Sequence, residues 1–246
     1  MADQTGPRLS SLSVFFPCHN EVGNIRGLVE RTLAVLPTVA ETYEVIIVND
    51  GSKDGTRELA DELAAQNPVV RAVHHEVNRG YGGALQSGFA AAQYDYVFFT
   101  DGDGQFDVGE IDKLVALLDQ ADMALGWRIK RADQFLRLAN ARAYKAMIRL
   151  LFGLKVRDID CAFKLLPRRV LESIELHSLG ALISAELLIK ATHVGFTYAE
   201  VGVHHYPRTA GQQSGAKLSV ILRMFGELWK MRAELKRIDK QKSATL

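Results

Sequence analysis

Short runs of β-branched and aromatic residues alternate with segments of helical periodicity through the first hundred residues, and this alternation restricts the possible folds most. It predicts a mostly parallel sheet with helices on both faces, in which ligands bind at the carboxyl ends of the strands. At 246 residues the chain is long enough for one α/β domain with a C-terminal extension. The predicted strands are 13–16, 43–48, 69–73 and 94–99, and the predicted helices between them are 24–36, 54–66 and 83–92.

The second half of the chain has a different pattern, with longer and more basic helical segments. We expect a catalytic domain over residues 1–215 that includes a basic helix at about 132–155, followed by a basic amphipathic helix and tail over residues 216–246. The further elements predicted after residue 130 are an amphipathic helix at 133–152, an extended segment at 159–166, a helix at 181–193, a strand at 197–203 and a final helix at 217–238.

An acidic turn follows the fourth predicted strand. Asp101 and Asp103 flank Gly102, so both carboxylates can turn toward one point in the cleft. Two crowded carboxylates repel each other unless a cation lies between them, and Mg²⁺ or Mn²⁺ is commonly shared between carboxylates and substrate phosphates. Gln105 can add or orient a neutral oxygen ligand. Because the turn follows a strand in a βαβ series, we favour a metal site over a metal-free turn.

A second polar loop follows the second predicted strand. Asp50 lies at the strand end, and its carboxylate can accept a hydrogen bond from the ring N–H of a uracil or guanine base. Asp-Gly-Ser is also a common turn, and Asp54 can simply cap the helix that follows. By itself this loop therefore leaves both interpretations open.

Four polar motifs follow one another along the chain: Pro17-Cys18-His19-Asn20-Glu21, Asn49-Asp50-Gly51-Ser52 with Asp54-Gly55-Thr56, Asn78-Arg79-Gly80, and Asp101-Gly102-Asp103-Gly104-Gln105. Their order and spacing over residues 12–165 resemble the family 2 glycosyltransferases, and most of all the dolichol-phosphate mannose synthase and polyprenyl-phosphate glycosyltransferase group. The resemblance implies a GT-A fold, an inverting transfer, a UDP- or GDP-sugar donor and a bound Mg²⁺ or Mn²⁺.

The resemblance also implies roles for single residues on the donor side. The nucleotide and donor pocket would be lined by Pro17, Asn20, Glu21, Asp50, Arg79, Gly80, Asp101 and Gly102. The metal would be held by Asp101, Asp103 and Gln105, with His205 as a further candidate ligand from a late loop.

On the acceptor side the likeness is looser. Cys161-Ala162 stands where the family has Ser-Gly, and Lys164 replaces an arginine. Candidate acceptor or phosphate ligands are Arg128, Arg142 and Lys217, and candidate catalytic residues are Asp103, Asp158, Asp160 and Arg208. Which of Asp158 and Asp160 acts stays open.

The charge distribution suggests where an acceptor binds. Residues 127–157 carry nine basic residues against the single acid Asp133, and residues 217–246 carry eight basic residues against three acids. Both segments also have apolar residues at helical spacing, which is typical of helices at a membrane interface, although packing against the catalytic domain would give the same pattern. We therefore expect a polyprenyl phosphate acceptor, no nucleic-acid partner, and a cytoplasmic enzyme held peripherally on the cytoplasmic face of the membrane. The alternative is a soluble transferase with a sugar, protein or small-molecule acceptor.

Overall fold

A computed structural model describes residues 8–129, 135–208 and 226–237, with only the backbone described over 135–142. Seven strands form one sheet, in the spatial order β3-β2-β1-β4-β6-β5-β7. All neighbouring strands are parallel except β6, which is antiparallel to both β4 and β5. The strands are β1 Leu9–Cys18, β2 Ala40–Asp50, β3 Val70–His75, β4 Tyr96–Thr100, β5 Met123–Arg128, β6 Phe163–Pro167 and β7 Tyr198–Val203.

Helices connect most of these strands, as the alternating pattern predicts. The third helix begins at Gly80, three residues before the predicted start, and two short helices were not predicted. The helices are α1 Ile25–Val39, α2 Thr56–Gln66, α3 Gly80–Ala91, α4 Ile111–Val115, α5 Phe135–Phe152, α6 Arg168–Glu172, α7 Ile183–His193 and α8, residues 226–237, with a 3₁₀ turn at Val108–Glu110.

The centre of the sheet is buried on both faces, which explains why the strand sequences there are continuously apolar rather than alternating. Phe15 of β1 stacks on Phe99 of β4 with ring centroids 5.5 Å apart. On the same sheet, Phe98 meets Phe163 of β6 edge to face at 4.7 Å. Burial of these aromatic side chains provides much of the apolar area that stabilises the sheet.

The antiparallel direction of β6 has a direct consequence for the site. The first residue of β6, Phe163, pairs with Thr100, the last residue of β4. Residues 158–162, which lead into β6, therefore arrive beside residues 101–103, which leave β4. Two acidic loops that are far apart in sequence thus meet at one edge of the sheet.

The described residues divide into two compact units. One consists of residues 8–129 and 156–208 and contains the whole sheet, and the other contains α5 and α8. The predicted boundary at residues 215 and 216 lies outside the described residues. Among those described, no helix is long and apolar enough to span a membrane.

Candidate active site

The acidic turn Asp101-Gly102-Asp103 directly follows β4 and lies against the end of β1. The backbone N–H of Gly102 donates to the carbonyl of Pro17 at 3.2 Å. A Cβ atom at Gly102 would lie 2.4 Å from the sulfur of Cys18 and 2.8 Å from the Pro17 carbonyl oxygen. Only glycine allows this approach, which explains the residue between the two aspartates.

The two carboxylates of the turn disfavour each other's charge. Burial, together with the nearby Asp103, raises the pKa of Asp101 to about 7, although a hydrogen bond from the Tyr81 hydroxyl opposes the shift. Burial also raises the pKa of Asp103, against the N–H of Gln105 and the charge of Arg208. A divalent cation between the carboxylates would remove this repulsion, so the donor chemistry of the turn fits Mg²⁺ or Mn²⁺.

The acidic turn supplies two carboxylates, those of Asp101 and Asp103. The described residues contain no group of three or more His, Cys, Asp and Glu side chains arranged for a metal ion. This is compatible with a cation that takes its remaining ligands from substrate phosphates and water. The ring of His205 packs edge to face on Phe106, with centroids 4.7 Å apart. Ligation of a metal by His205 stays a prediction.

Gln105 joins the acidic turn to the loop after β7. Its Nε2 donates to the carbonyl of Tyr206 at 2.7 Å, and the N–H of Tyr206 donates to the Gln105 carbonyl at 2.8 Å. Phe106 and His205 form a further antiparallel bridge. The late loop that carries His205 is therefore held beside the acidic turn by backbone pairing.

Loops after β1 and β2 are tied together by side-chain bonds. Asn20, in the left-handed region with φ of 58°, accepts from the N–H of Lys53 at 2.9 Å, and its own N–H donates to Ser52 Oγ at 2.9 Å. The N–H of Glu21 donates to the Thr56 hydroxyl at 2.9 Å. Asn20 and Glu21, both predicted in the nucleotide pocket, thus lie where the loops after β1 and β2 meet.

Asp50 is buried at the end of β2, and one of its oxygens is already engaged. Oδ1 lies 2.6 Å from Nδ1 of His75 and accepts from the N–H of Arg79 at 2.8 Å. The Asp50 carbonyl lies 2.8 Å from Nδ1 of His19. The predicted base-recognition residue is therefore fixed by β3 and by the turn that begins α3.

The glycines after Arg79 are explained by close backbone packing. Gly80 has a φ of 82°, and a Cβ there would lie 2.7 Å from the Leu179 carbonyl oxygen. That oxygen accepts from the N–H of Gly82 at 2.8 Å. The turn brings Arg79 and Gly80 to the start of α3, and the Arg79 side chain is exposed.

The loop before β6 brings together residues predicted for acceptor binding and catalysis. Arg128 and Asp158 form a two-point ion pair of 2.7 and 2.9 Å, whereas Asp160 is exposed. The fully buried Lys164 donates to the carbonyls of Ile159 at 3.1 Å and of Cys161. These hydrogen bonds from a buried side chain fix the backbone of the loop before β6.

Arg208 follows β7 and forms an ion pair with Glu21. Glu21 also accepts from Nδ2 of Asn24 at 2.6 Å. The late loop thus reaches the loop after β1 at Glu21. Lys217 and the side chain of Arg142 lie outside the described residues.

Three residues near the predicted site were not assigned to it from the sequence: His75, Tyr81 and Lys164. His75 faces Asp50 because β2 and β3 pair in the register Asp50 to His75. Laying out that parallel register would have identified it. Tyr81 of α3 and Lys164 of β6 reach the site through contacts between elements far apart in the sequence, and the only signal for either was that Lys164 stands where the family has an arginine.

Comparison with known proteins agrees with this arrangement. Residues 13–175 match the model of glycosyl transferase family 2. Glycosyltransferase AglD of Haloferax volcanii is 32% identical over 207 residues, covering 80% of this chain and 33% of the relative. Polyprenol monophosphomannose synthase of Mycolicibacterium smegmatis is 30% identical over 239 residues, which cover 91% of this chain and 88% of the relative.

A third relative is the undecaprenyl-phosphate 4-deoxy-4-formamido-L-arabinose transferase of Shewanella sediminis, 29% identical over 224 residues that cover 89% of this chain and 66% of the relative. The chain therefore spans from a third to about two thirds of the length of AglD and the arabinose transferase.

The fold has a close counterpart among solved structures. Glucosyl-3-phosphoglycerate synthase from Mycobacterium tuberculosis, in complex with Mn²⁺ and UDP-glucose, superposes with a TM-score of 0.69 at 22% identity, covering 91% of this chain and 79% of the other. This similarity confirms the GT-A type of fold expected from the sequence. With two thirds of its length matched by the family model, the chain belongs to glycosyl transferase family 2.

Proposed function

We propose that this protein transfers a hexose from a GDP- or UDP-sugar to a polyprenyl phosphate with inversion at the anomeric carbon. The main support is that the loops after β1, β2 and β4 lie at one edge of the sheet, with Asp50 at the end of β2 and with Asp101 and Asp103 in the loop after β4. The relatives named for polyprenol and undecaprenyl-phosphate substrates support the acceptor class.

The same proposal includes a divalent cation. Asp101 and Asp103 would hold Mg²⁺ or Mn²⁺, which supplies positive charge for the donor diphosphate. Mn²⁺ is present with UDP in one solved structure of the glucosyl-3-phosphoglycerate synthase, and Mg²⁺ with UDP in another. In this chain, Arg208 adds a positive charge that acts on Asp103.

A phosphate acceptor simplifies the chemistry required of the protein. Its oxygen is anionic near neutral pH, so it can attack the anomeric carbon without a strong general base. The bond from that carbon to the donor diphosphate breaks as the new bond forms, and the nucleoside diphosphate leaves with the electron pair. The contribution of the protein is to hold the acceptor phosphate and the donor diphosphate in line on opposite sides of the anomeric carbon. Arg128 and Arg208 are the described arginines proposed for this task, and Asp160 is an exposed carboxylate whose charge acts on Arg128.

We also propose peripheral attachment to the cytoplasmic face of a membrane. On α5, Leu150 is 82% exposed and lies beside the exposed Arg149, and on α8 Trp229 is 61% exposed next to Lys230. Exposed apolar side chains among cations suit an interface with anionic lipids. Leu228, Met231 and Leu235 are buried, so only part of the apolar pattern of α8 is available for that role.

One experiment distinguishes this proposal from the alternative, a soluble transferase with a sugar, protein or small-molecule acceptor. The full chain is incubated with Mn²⁺ and a panel of UDP- and GDP-sugars, and nucleotide release is measured with polyprenyl phosphate, with phosphoglyceric acid, or with neither. Phosphoglyceric acid is the small acceptor bound in a solved structure of the glucosyl-3-phosphoglycerate synthase. Release that depends on polyprenyl phosphate supports the proposal. Release with phosphoglyceric acid alone would favour a soluble acceptor.

A further inference from the structure

The buried carboxylate of Asp50 receives two hydrogen bonds on the same oxygen. The ring nitrogen Nδ1 of His75 lies 2.6 Å from Oδ1, and the backbone N–H of Arg79 lies 2.8 Å from it. The other oxygen, Oδ2, has no hydrogen-bond partner within the described part of the chain. A buried carboxylate is costly unless it is hydrogen-bonded, so these two donors stabilise Asp50 and also orient it.

His75 is itself held from both sides. Its second ring nitrogen, Nε2, lies 2.8 Å from the hydroxyl of Ser87 on α3. The ring is 6% exposed, and the register of β2 and β3 places His75 directly beside Asp50. Because Oδ1 of a carboxylate can only accept, Nδ1 carries the proton, and Ser87 bonds the opposite nitrogen. The ring therefore cannot rotate without breaking both of these hydrogen bonds.

We propose that His75 is a positioning residue that fixes the Asp50 carboxylate so that Oδ2 selects the nucleotide base. An acceptor oxygen held in one direction favours a base with a ring N–H donor, which is the N3–H of uracil or the N1–H of guanine. Cytosine and adenine present an acceptor nitrogen at that ring position, which cannot donate to Oδ2. The inference rests on the proposed function, since it requires a nucleotide donor that contacts Asp50.

The test is calorimetric titration of the full chain, in Mn²⁺, with UDP and GDP and with their ring-methylated analogues, N3-methyl-UDP and N1-methyl-GDP. For the nucleotide that the wild type binds more tightly, His75→Leu should weaken affinity by roughly 5- to 150-fold, the range for loss of a buried hydrogen-bond partner. The methylated analogue has no ring N–H to donate to Oδ2, so its affinity should change by less than about twofold. His75→Asn places an amide N–H close to the position of Nδ1 and should recover most of the loss.

Two further variants keep the test decisive. His74→Leu is the matched control, because His74 is the neighbouring histidine on β3 and bonds to Asp61 at 2.9 Å rather than to Asp50. Ser87→Ala replaces His75→Leu if that variant fails to fold, and should give a smaller loss in the same direction. Circular dichroism and thermal unfolding verify that each variant is folded.

The outcomes separate this inference from the proposal on which it rests. If Asp50→Ala weakens the natural nucleotide but neither His75→Leu nor Ser87→Ala does, the positioning role of His75 is wrong and base recognition by Asp50 stands. Equal weakening of the natural and methylated nucleotides by His75→Leu would show a general structural loss, and would also overturn the inference. Wild-type affinity in Asp50→Ala would overturn the base-recognition proposal itself.

Discussion

Arg128 donates two hydrogen bonds to Asp158, from Nε to Oδ2 at 2.7 Å and from Nη2 to Oδ1 at 2.9 Å. The side chains are 17% and 7% exposed, so this is a mostly buried, planar ion pair. Burial lowers the pKa of Arg128, but the bonds to Asp158 outweigh burial and raise it overall. We therefore propose that Asp158 acts by holding Arg128 in place, and that the exposed Asp160 is the better candidate for direct contact with substrate.

The first prediction separates these two aspartates. Asp158→Ala leaves a buried guanidinium without its carboxylate and should lower the free energy of unfolding by about 3–5 kcal/mol. Asp160→Ala changes an exposed side chain and should cost less than about 1 kcal/mol while lowering the transfer rate. Urea denaturation and steady-state rates measure the two effects. A stable, fully active Asp160→Ala variant would contradict the role given to Asp160.

The second prediction concerns the cation. Asp103→Ala removes one of the two carboxylates that would hold the metal, so turnover should be lost while the fold is kept. Nucleotide release with and without EDTA, and with Mn²⁺ restored, measures the dependence. Asp107→Ala is the matched control, since Asp107 caps the 3₁₀ turn four residues later by accepting from the N–H of Gly109. Full activity in EDTA would rule out the metal.

The third prediction follows from the raised pKa of Asp101, about 7 against an ordinary value near 4. Between these values the folded protein keeps a proton on Asp101 that the unfolded chain has released. The stability of the metal-free protein should therefore fall as pH rises from about 4 to 7. Asp101→Asn cannot ionise, so at pH 8 it should be more stable than the wild type by roughly 1–4 kcal/mol.

Urea denaturation in EDTA at pH 5 and pH 8 measures this difference. Asp112→Asn, which alters an exposed aspartate of α4, is the control. If Asp101→Asn and Asp112→Asn show the same pH dependence, the pKa of Asp101 is not raised in the folded protein.

The fourth prediction tests the contact between the acidic turn and β1. Gly102→Ala adds a Cβ that would lie 2.8 Å from the Pro17 carbonyl oxygen, and backbone must shift to relieve it. We expect a loss of stability of about 1–3 kcal/mol and a larger loss of activity, because the shift separates Asp101 and Asp103. In Gly180→Ala the new Cβ meets nothing within 4 Å, so both properties should stay near the wild type. Equal behaviour of the two variants would show that the approach is not tight.

The fold class and the strand ends that carry polar loops could be predicted because they depend on local pattern. Four apolar runs and the glycines beside them were enough to place Asp50 and Asp101 at strand ends. The strand order could not be predicted in this way. Insertion of the antiparallel β6 between β4 and β5 depends on packing across the whole sheet, and β5 is a short segment that contains Ala124 and Gly126. The pairing of Arg128 with Asp158 follows from that strand order, so it could not be predicted from the sequence either.

The last prediction concerns Arg208, which the structure pairs with Glu21 and which acts on Asp103 by its charge. We propose that its guanidinium contacts a phosphate of the donor or acceptor. Lysine keeps the positive charge but loses the planar fork that can bond two oxygens at once. Arg208→Lys should therefore lower transfer to polyprenyl phosphate by about tenfold or more, with little change in stability.

The control for Arg208→Lys is Arg57→Lys, which alters an exposed arginine paired with Glu76 at 2.9 Å. An exposed ion pair contributes little, so this variant should keep both its rate and its stability. Rates at saturating donor and varied polyprenyl phosphate show whether Arg208→Lys acts on the Michaelis constant for the acceptor or on turnover. If the two variants have the same rates and the same acceptor dependence, Arg208 contacts neither phosphate during transfer, and its bond to Glu21 only fixes the loop after β7.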